Sequence, residues 1–311
     1  MKKFWVLIAV LASGAVGRTQ TAPVPAAASL SDFFKPGVVF QDRNGDGVVD
    51  FVDARIVLPP QPNAGELAAA ADVAARLGYE TTAMNLPLSG TTPIFIGAKS
   101  LADSGVTADS IGGSGLKAGD GVVSIFAIGA KPAVAILGGD EDGLTAAAVM
   151  LGGHLPFVWD QKSPTTDKIA DDVKEFLSGK GIAAPTAAAQ SILVHAGLDG
   201  ADRVVVDVPL TTGADMIKAL VALNQFKATA TRDPKRPLSY AMVRTVRVRL
   251  HSTGAGVQAV DLPRVTPPAT ETAAQPPARR PGGGAKENFD LSAFYANEGA
   301  LGDSDNNLIP D

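Results

Sequence analysis

Cysteine is absent from this 311-residue chain, which removes disulfides, thiolate metal sites and thiol nucleophiles together. Histidine is nearly absent too. Its three occurrences, His154, His195 and His251, form no HExxH pair, so the usual zinc-peptidase ligand set is missing. The segment after residue 17 holds no GxSxG elbow to nominate a serine nucleophile. Aromatic residues make up 5% of the chain, leaving few flat rings for stacking on sugars or unpaired bases. Basic residues are outnumbered, 27 Lys and Arg against 32 Asp and Glu for a net charge of −5. That balance excludes the basic field a nucleic-acid binder needs. Long hydrophobic runs are also lacking, since the apolar stretch Phe4–Val16 falls short of the ~20 residues that span a bilayer.

What is present begins with an address. Lys2 and Lys3 precede that apolar stretch, and Ala15-Val16-Gly17 supplies small residues for cleavage, the layout of a secretory signal peptide over 1–17. No cysteine follows it, so no lipid anchor is expected. Residues 18–29, rich in Pro and Ala, read as a flexible spacer. The expected location is outside the cytoplasm: periplasm, cell surface or medium.

Residues 42–53 read DRNGDGVVDFVD. Asp42, Asn44, Asp46, Asp50 and Asp53 fall at positions 1, 3, 5, 9 and 12 of a loop, Gly47 at position 6, and Val48 at the position that donates a backbone carbonyl. Alternating oxygen donors around a glycine turn are what a hard cation of the Ca²⁺ type requires, and carboxylates this close repel one another unless a cation sits among them. The metal site expected here is therefore Asp42, Asn44, Asp46, Val48, Asp50 and Asp53. The stretch resembles the loops of dockerin modules and thrombospondin type 3 repeats, which implies a calcium-bound extracellular element of the EF-hand type. A dockerin pairs two such loops about twenty residues apart. No partner lies at that distance here, so cohesin binding is not implied.

The two ends repeat each other. Leu30–Asp50 aligns without gaps to Leu291–Asp311 at a constant offset of 261 residues, matching Leu30 with Leu291, Phe33 with Phe294, Phe34 with Tyr295 and Asp42 with Asp303. The second copy supplies Asp303, Asp305, Asn307 and Asp311 and stops before a twelfth position. A fragment of a tandem array, cut within its second unit, is the expectation. The Pro/Gly-rich stretch 263–288 reads as the linker between units, and 289–311 as the start of the next.

Between the ends the pattern is α/β. After a calcium-loop entry segment at 30–60, strands at Ala54–Leu58, Ile94–Ile96, Val122–Ile128 and Ala133–Leu137 alternate with helices. One helix starts at an Asn63…Glu66 capping box, with Leu67, Ala70, Val73, Ala74 and Leu77 inward. Others follow Asp142 and span Thr166–Leu177. A layered α/β domain over 61–185 is expected, followed by a smaller α+β domain of ββαββ order over 186–262. Arg247, Arg249 and His251 alternate along one strand and predict a basic, solvated sheet face.

Catalytic signals are few. His154 suits a helix C-terminus, where the dipole favours it. Gly138-Gly139-Asp140-Glu141-Asp142-Gly143 has the wrong spacing for a phosphate loop and carries three carboxylates that would repel one. These acids suit a helix N-terminus instead. Gly112–Gly121 reads as a mobile loop. The order of elements over Ile94–Pro156 resembles the α/β accessory domains of some secreted glycoside hydrolases and is similar to the flavodoxin-like domains of periplasmic cellulose-synthase subunits. That resemblance implies a packing or docking domain and carries no catalytic residues. The expected function is that of a non-catalytic exported structural or interaction protein built from calcium-stabilised modules, its partners other surface proteins or a polymer. The alternative is the N-terminal accessory region of a larger secreted polymer-degrading enzyme whose catalytic domain lies beyond Asp311.

Overall fold

A computed structural model describes residues 29–81, 90–129, 131–159, 161, 163–184, 186–229, 240 and 242–263. The expected signal peptide, the expected spacer up to residue 28, the expected linker from residue 264 and the second loop copy lie outside the described residues.

The described chain starts with a 3-10 turn, Leu30–Phe34, and a two-stranded ribbon of β1 (Phe40–Gln41) and β2 (Phe51–Val52). Then come β3 (Ala54–Val57), α1 (Ala64–Tyr79), β4 (Thr92–Ile96), α2 (Ala98–Ala102), β5 (Asp120–Ile128), β6 (Lys131–Gly138) and α3 (Glu141–Val149), which runs into a π-helical turn, Met150–His154. The remaining elements are α4 (Thr166–Gly179), β7 (Ala188–His195), β8 (Ala201–Leu210), α5 (Gly213–Thr229), β9 (Val243–Ser252) and β10 (Gly256–Pro263).

Eight of the strands form one mixed sheet in the order β10-β9-β8-β7-β5-β6-β4-β3. Chain connections explain the mixture. β5 and β6 are antiparallel because two residues join them, Gly129 at φ +63° being the first, as a tight hairpin requires. β8 and β9 are parallel because α5 supplies the crossover that parallel neighbours need. β3, β4 and β6 form a parallel set by the same logic.

The expected α+β domain does not form a sheet of its own. β7 pairs with β5 from Asp120↔His195 to Ser124↔Ser191, so the sheet runs unbroken across the boundary placed at residue 185. All described residues belong to one compact unit, Met1–Pro267. The entry segment is likewise no separate module: Leu30, Phe33, Val39, Phe40 and Val52 are buried in the main core, and β3 is that sheet's terminal strand. Alternation along a strand reveals which side chains are buried, whereas its lateral neighbour depends on pairing across many residues.

The two faces of the sheet differ. One carries Ile94, Ile96, Val123, Ile125, Ile192, Val206 and Val248 into a large core shared with α1, α3, α4 and α5. The other, under α2 and a 3-10 turn at Ala108–Ile111, holds a smaller cluster around Phe95, Val122, Phe126 and Leu137. Farther along this second face, on β8–β10, the residues turn polar.

Local signals work where they are strong. Asn63 caps α1 by accepting from Glu66 N–H while the Glu66 carboxylate accepts from Asn63 N–H, the reciprocal pair expected. The buried stripe of α1 differs, being Glu66, Ala69, Val73 and Leu77, with Leu67 52% exposed. A helix this rich in alanine leaves its inward stripe undecided by sequence pattern, and close packing on the sheet selects it.

Candidate functional site

The acidic loop spans the tip of the β1–β2 ribbon, whose base is set into the core by packing of Phe33, Phe34 and Phe40. Within the loop, Asp42 accepts from Gly45 N–H through one oxygen at 2.7 Å and from Gly47 N–H through the other at 2.8 Å. These donors, Gly47 foremost, hold its carboxyl below the ordinary carboxylate range. Gly47 sits at φ +87°, a region that disfavours other residues, and this brings its N–H back onto position 1. Asn44 accepts from Asp46 N–H and Asp46 from Val48 N–H. Asp50 accepts from Arg43 N–H at 2.9 Å, while the Arg43 guanidinium lies over the Phe51 ring.

Asp53 behaves differently from the rest. Its two oxygens accept from Thr91 N–H and Thr91 Oγ, tying it to the start of β4. The donors of the loop are all oxygens and suit a hard cation. Among the described residues, however, no three His, Cys, Asp or Glu side chains converge as a ready ligand set. The second loop, Asp303, Asp305, Asn307 and Asp311, lies outside the described residues.

The basic stripe is neutralised in place. Arg247 makes a two-pronged contact with Asp261 at 2.6 and 2.7 Å, which raises the guanidinium's pKa and lowers the carboxyl's. Arg249 donates to Gln190, and His251 Nε2 lies 2.8 Å from buried Asp207. Asp207 Oδ1 has no hydrogen bond; Arg249 Nε stands 3.6 Å away from it. With Arg247, Arg249 and His251 each set beside a carboxylate, the stripe offers little field to a polyanion.

The glycines around α3 serve close packing. A Cβ on Gly139 would overlap the Lys117 carbonyl oxygen, one on Gly143 the Asp120 carbonyl oxygen, and one on Gly121 the Gly143 carbonyl oxygen. Asp140 caps the helix as expected, accepting from Gly143 N–H and Gly119 N–H at 2.9 Å each. Both bonds, Gly143's first, lower its pKa. The Gly119 contact also ties the end of the Gly112–Gly121 loop to the α3 cap.

One pairing was not anticipated. His195, ending β7, places Nδ1 2.8 Å from Asp120 at the start of β5. That bond first, and the Lys117 N–H second, lower the Asp120 pKa. An imidazole oriented by a carboxylate is the supporting half of an acid–base site. No described Ser, Thr or Lys side chain hydrogen-bonds the other ring nitrogen of His195. The partners lie 75 residues apart in sequence, so no local motif announces them. His154 ends the π-helical turn, where a helix terminus was expected, and stacks on Trp159.

No helix among the described residues is long and apolar enough to cross a membrane. No known protein family and no curated protein matches this chain. What the fold defines by itself is an α/β protein with a mixed sheet and an acidic ribbon loop at its entry.

Proposed function

We propose that this chain is a non-catalytic exported structural or interaction protein whose entry loop binds Ca²⁺ and thereby stiffens the domain. The observation that carries the reading is the loop itself: Asp42, Asn44, Asp46 and Asp50 at alternating positions around Gly47, at the tip of a ribbon whose base is buried in the core. Oxygens of Asp42, Asn44, Asp46 and Asp50 and the carbonyl of Val48 would hold the ion, with Asp53 joining only on release from Thr91. Extracellular sites need only Kd values of ~10⁻⁴ to 10⁻³ M, so weak, reversible binding suffices for this role.

Thermal unfolding of the full chain with CaCl₂ and with EDTA tests this. At calcium one hundred times Kd, the gain is about 2.7 kcal/mol, or about 5–10 °C in Tm for a domain of this size. The Asp42→Ala/Asp46→Ala variant should lose the shift. Coincident melting curves for the parent chain overturn the reading.

A further inference from the structure

β10 ends the eight-stranded sheet on the side opposite β3, and among the described residues nothing pairs with its outer side. Sheet edges are normally blunted by short strands, lysines, prolines or bulges, because their free N–H and C=O groups pair with other chains. β3 follows that rule, with four residues and the exposed Arg55. β10 does not. It runs for eight residues, GVQAVDLP, and pairs with β9 in unbroken register from Gly256↔Ser252 to Pro263↔Thr245. It has no Lys or Arg, its proline is the last residue, and its one charge, Asp261, is held by Arg247 of β9. Gly256, Val257, Gln258 and Ala259 are exposed, Val257 at 55%.

The hairpin sets which backbone groups point outward. Ala255 N–H donates to the Ser252 carbonyl and Gly256 follows at φ +70°, so Ser252 and Gly256 close the turn as a hydrogen-bonded pair. In an antiparallel ladder such pairs alternate with non-bonded ones. Gly256, Gln258, Val260 and Leu262 therefore bond to β9, while Val257, Ala259 and Asp261 turn their N–H and C=O groups away from it.

Reversed upon itself, this edge is complementary. With Gln258 on a two-fold axis, Val257 of one chain meets Ala259 of the other and exchanges both backbone hydrogen bonds with it, and Val260 meets Gly256. The two Asp261 then stand about 20 Å apart, at ~3.3 Å per residue and ~4.8 Å between strands. An axis at Val260 would bring them to about 8 Å, and one at Ala259 would lay exposed Val257 against Asp261. A self-complementary patch is what a closed two-fold dimer requires. We propose that β10 pairs antiparallel with β10 of a second copy of this chain, Gln258 at the axis, joining the two sheets into one. The dimer goes beyond the calcium reading and does not rest on it.

The chain has no cysteine, so one introduced thiol is unique. Facing residues of a non-hydrogen-bonded antiparallel pair have Cα atoms ~4.5 Å apart, within disulfide reach. Under air oxidation the full-length Gln258→Cys protein should cross-link to a covalent dimer, and Lys99→Cys, exposed on α2, should not. Sedimentation equilibrium of the parent should show a monomer–dimer equilibrium, in calcium and in EDTA alike. Ala259→Pro removes an outward N–H and leaves the β9 ladder intact, and Val257→Lys sets a charge in the seam. Each should weaken dimerisation at least tenfold with circular dichroism unchanged from the parent; Val257→Lys, altering only an exposed side chain, decides alone where the proline variant unfolds. A parent that stays monomeric at millimolar concentration, parent-like dimerisation of Val257→Lys, cross-linking of Gln258→Cys no faster than that of Lys99→Cys, or assembly beyond dimers each overturns the proposal.

Discussion

Asp53 receives the Thr91 N–H at 2.6 Å and the Thr91 hydroxyl at 2.9 Å, one on each carboxylate oxygen. The last expected ligand of the loop is thus a clasp between the entry ribbon and β4. The same residue cannot keep both bonds and also turn fully onto a loop cation.

Two aspartates should therefore separate stability from ion response. Asp53→Ala leaves two donors of Thr91 without their acceptor and should lower stability in EDTA by about 1–3 kcal/mol, each such bond contributing ~0.5–1.5 kcal/mol, while keeping most of the calcium shift. Asp42→Ala should abolish the shift. Melting curves of both variants with and without calcium check the contrast, and an Asp53→Ala protein that loses the whole shift would place Asp53 among the ligands.

Acid sensitivity should trace to the β5–β7 pairing. Asp120 has a folded-state pKa below its ordinary value because it accepts from His195 and from Lys117 N–H. A depressed carboxyl contributes stability above its unfolded pKa and loses that contribution as pH falls through the folded value. His195→Ala removes the larger cause and should move the acid-unfolding midpoint to higher pH. Circular dichroism between pH 2 and pH 5 reads this, and coincident acid transitions would contradict it.

The helix-start glycine should break the propensity rule. In an ordinary helix, Gly→Ala gains up to about 1 kcal/mol. Gly143→Ala should instead cost more than ~2 kcal/mol, because the new methyl overlaps the Asp120 carbonyl and backbone must move. Gly179, at the end of α4 with nothing within 4 Å of a built Cβ, should be stabilised by the same change. Paired thermal melts decide both signs.

The entry segment should unfold with the rest. Phe33 is 2% exposed and packs edge-on against Phe34 and Phe40. Phe33→Ala should cost ~3–5 kcal/mol and shift one shared transition. A separate low-temperature transition for the ribbon would show it to be an independent module.

Much was legible before any coordinates. The capping box of Asn63 and Glu66, the Asp140 cap, and the strands at Ile94, Val122 and Ala133 rest on signals confined to a few residues. The Gly47-centred turn is likewise readable, since its hydrogen bonds close within five residues. Pairings over long separations were not readable. Nothing near Val122 announces that β7 will lie beside it, and nothing near His195 names Asp120.

By itself, the chain's order of residues determined most of the longer helices and strands, though not α2 or the short β1–β2 ribbon, and that oxygen donors alternate through residues 42–53. Tertiary structure alone decided that the expected domains share one sheet, that the basic stripe meets its own carboxylates, and that Asp53 clasps Thr91. Propensity, capping and turn chemistry act between neighbours a few residues apart. Partners on adjacent strands are chosen by how all the strands pack at once.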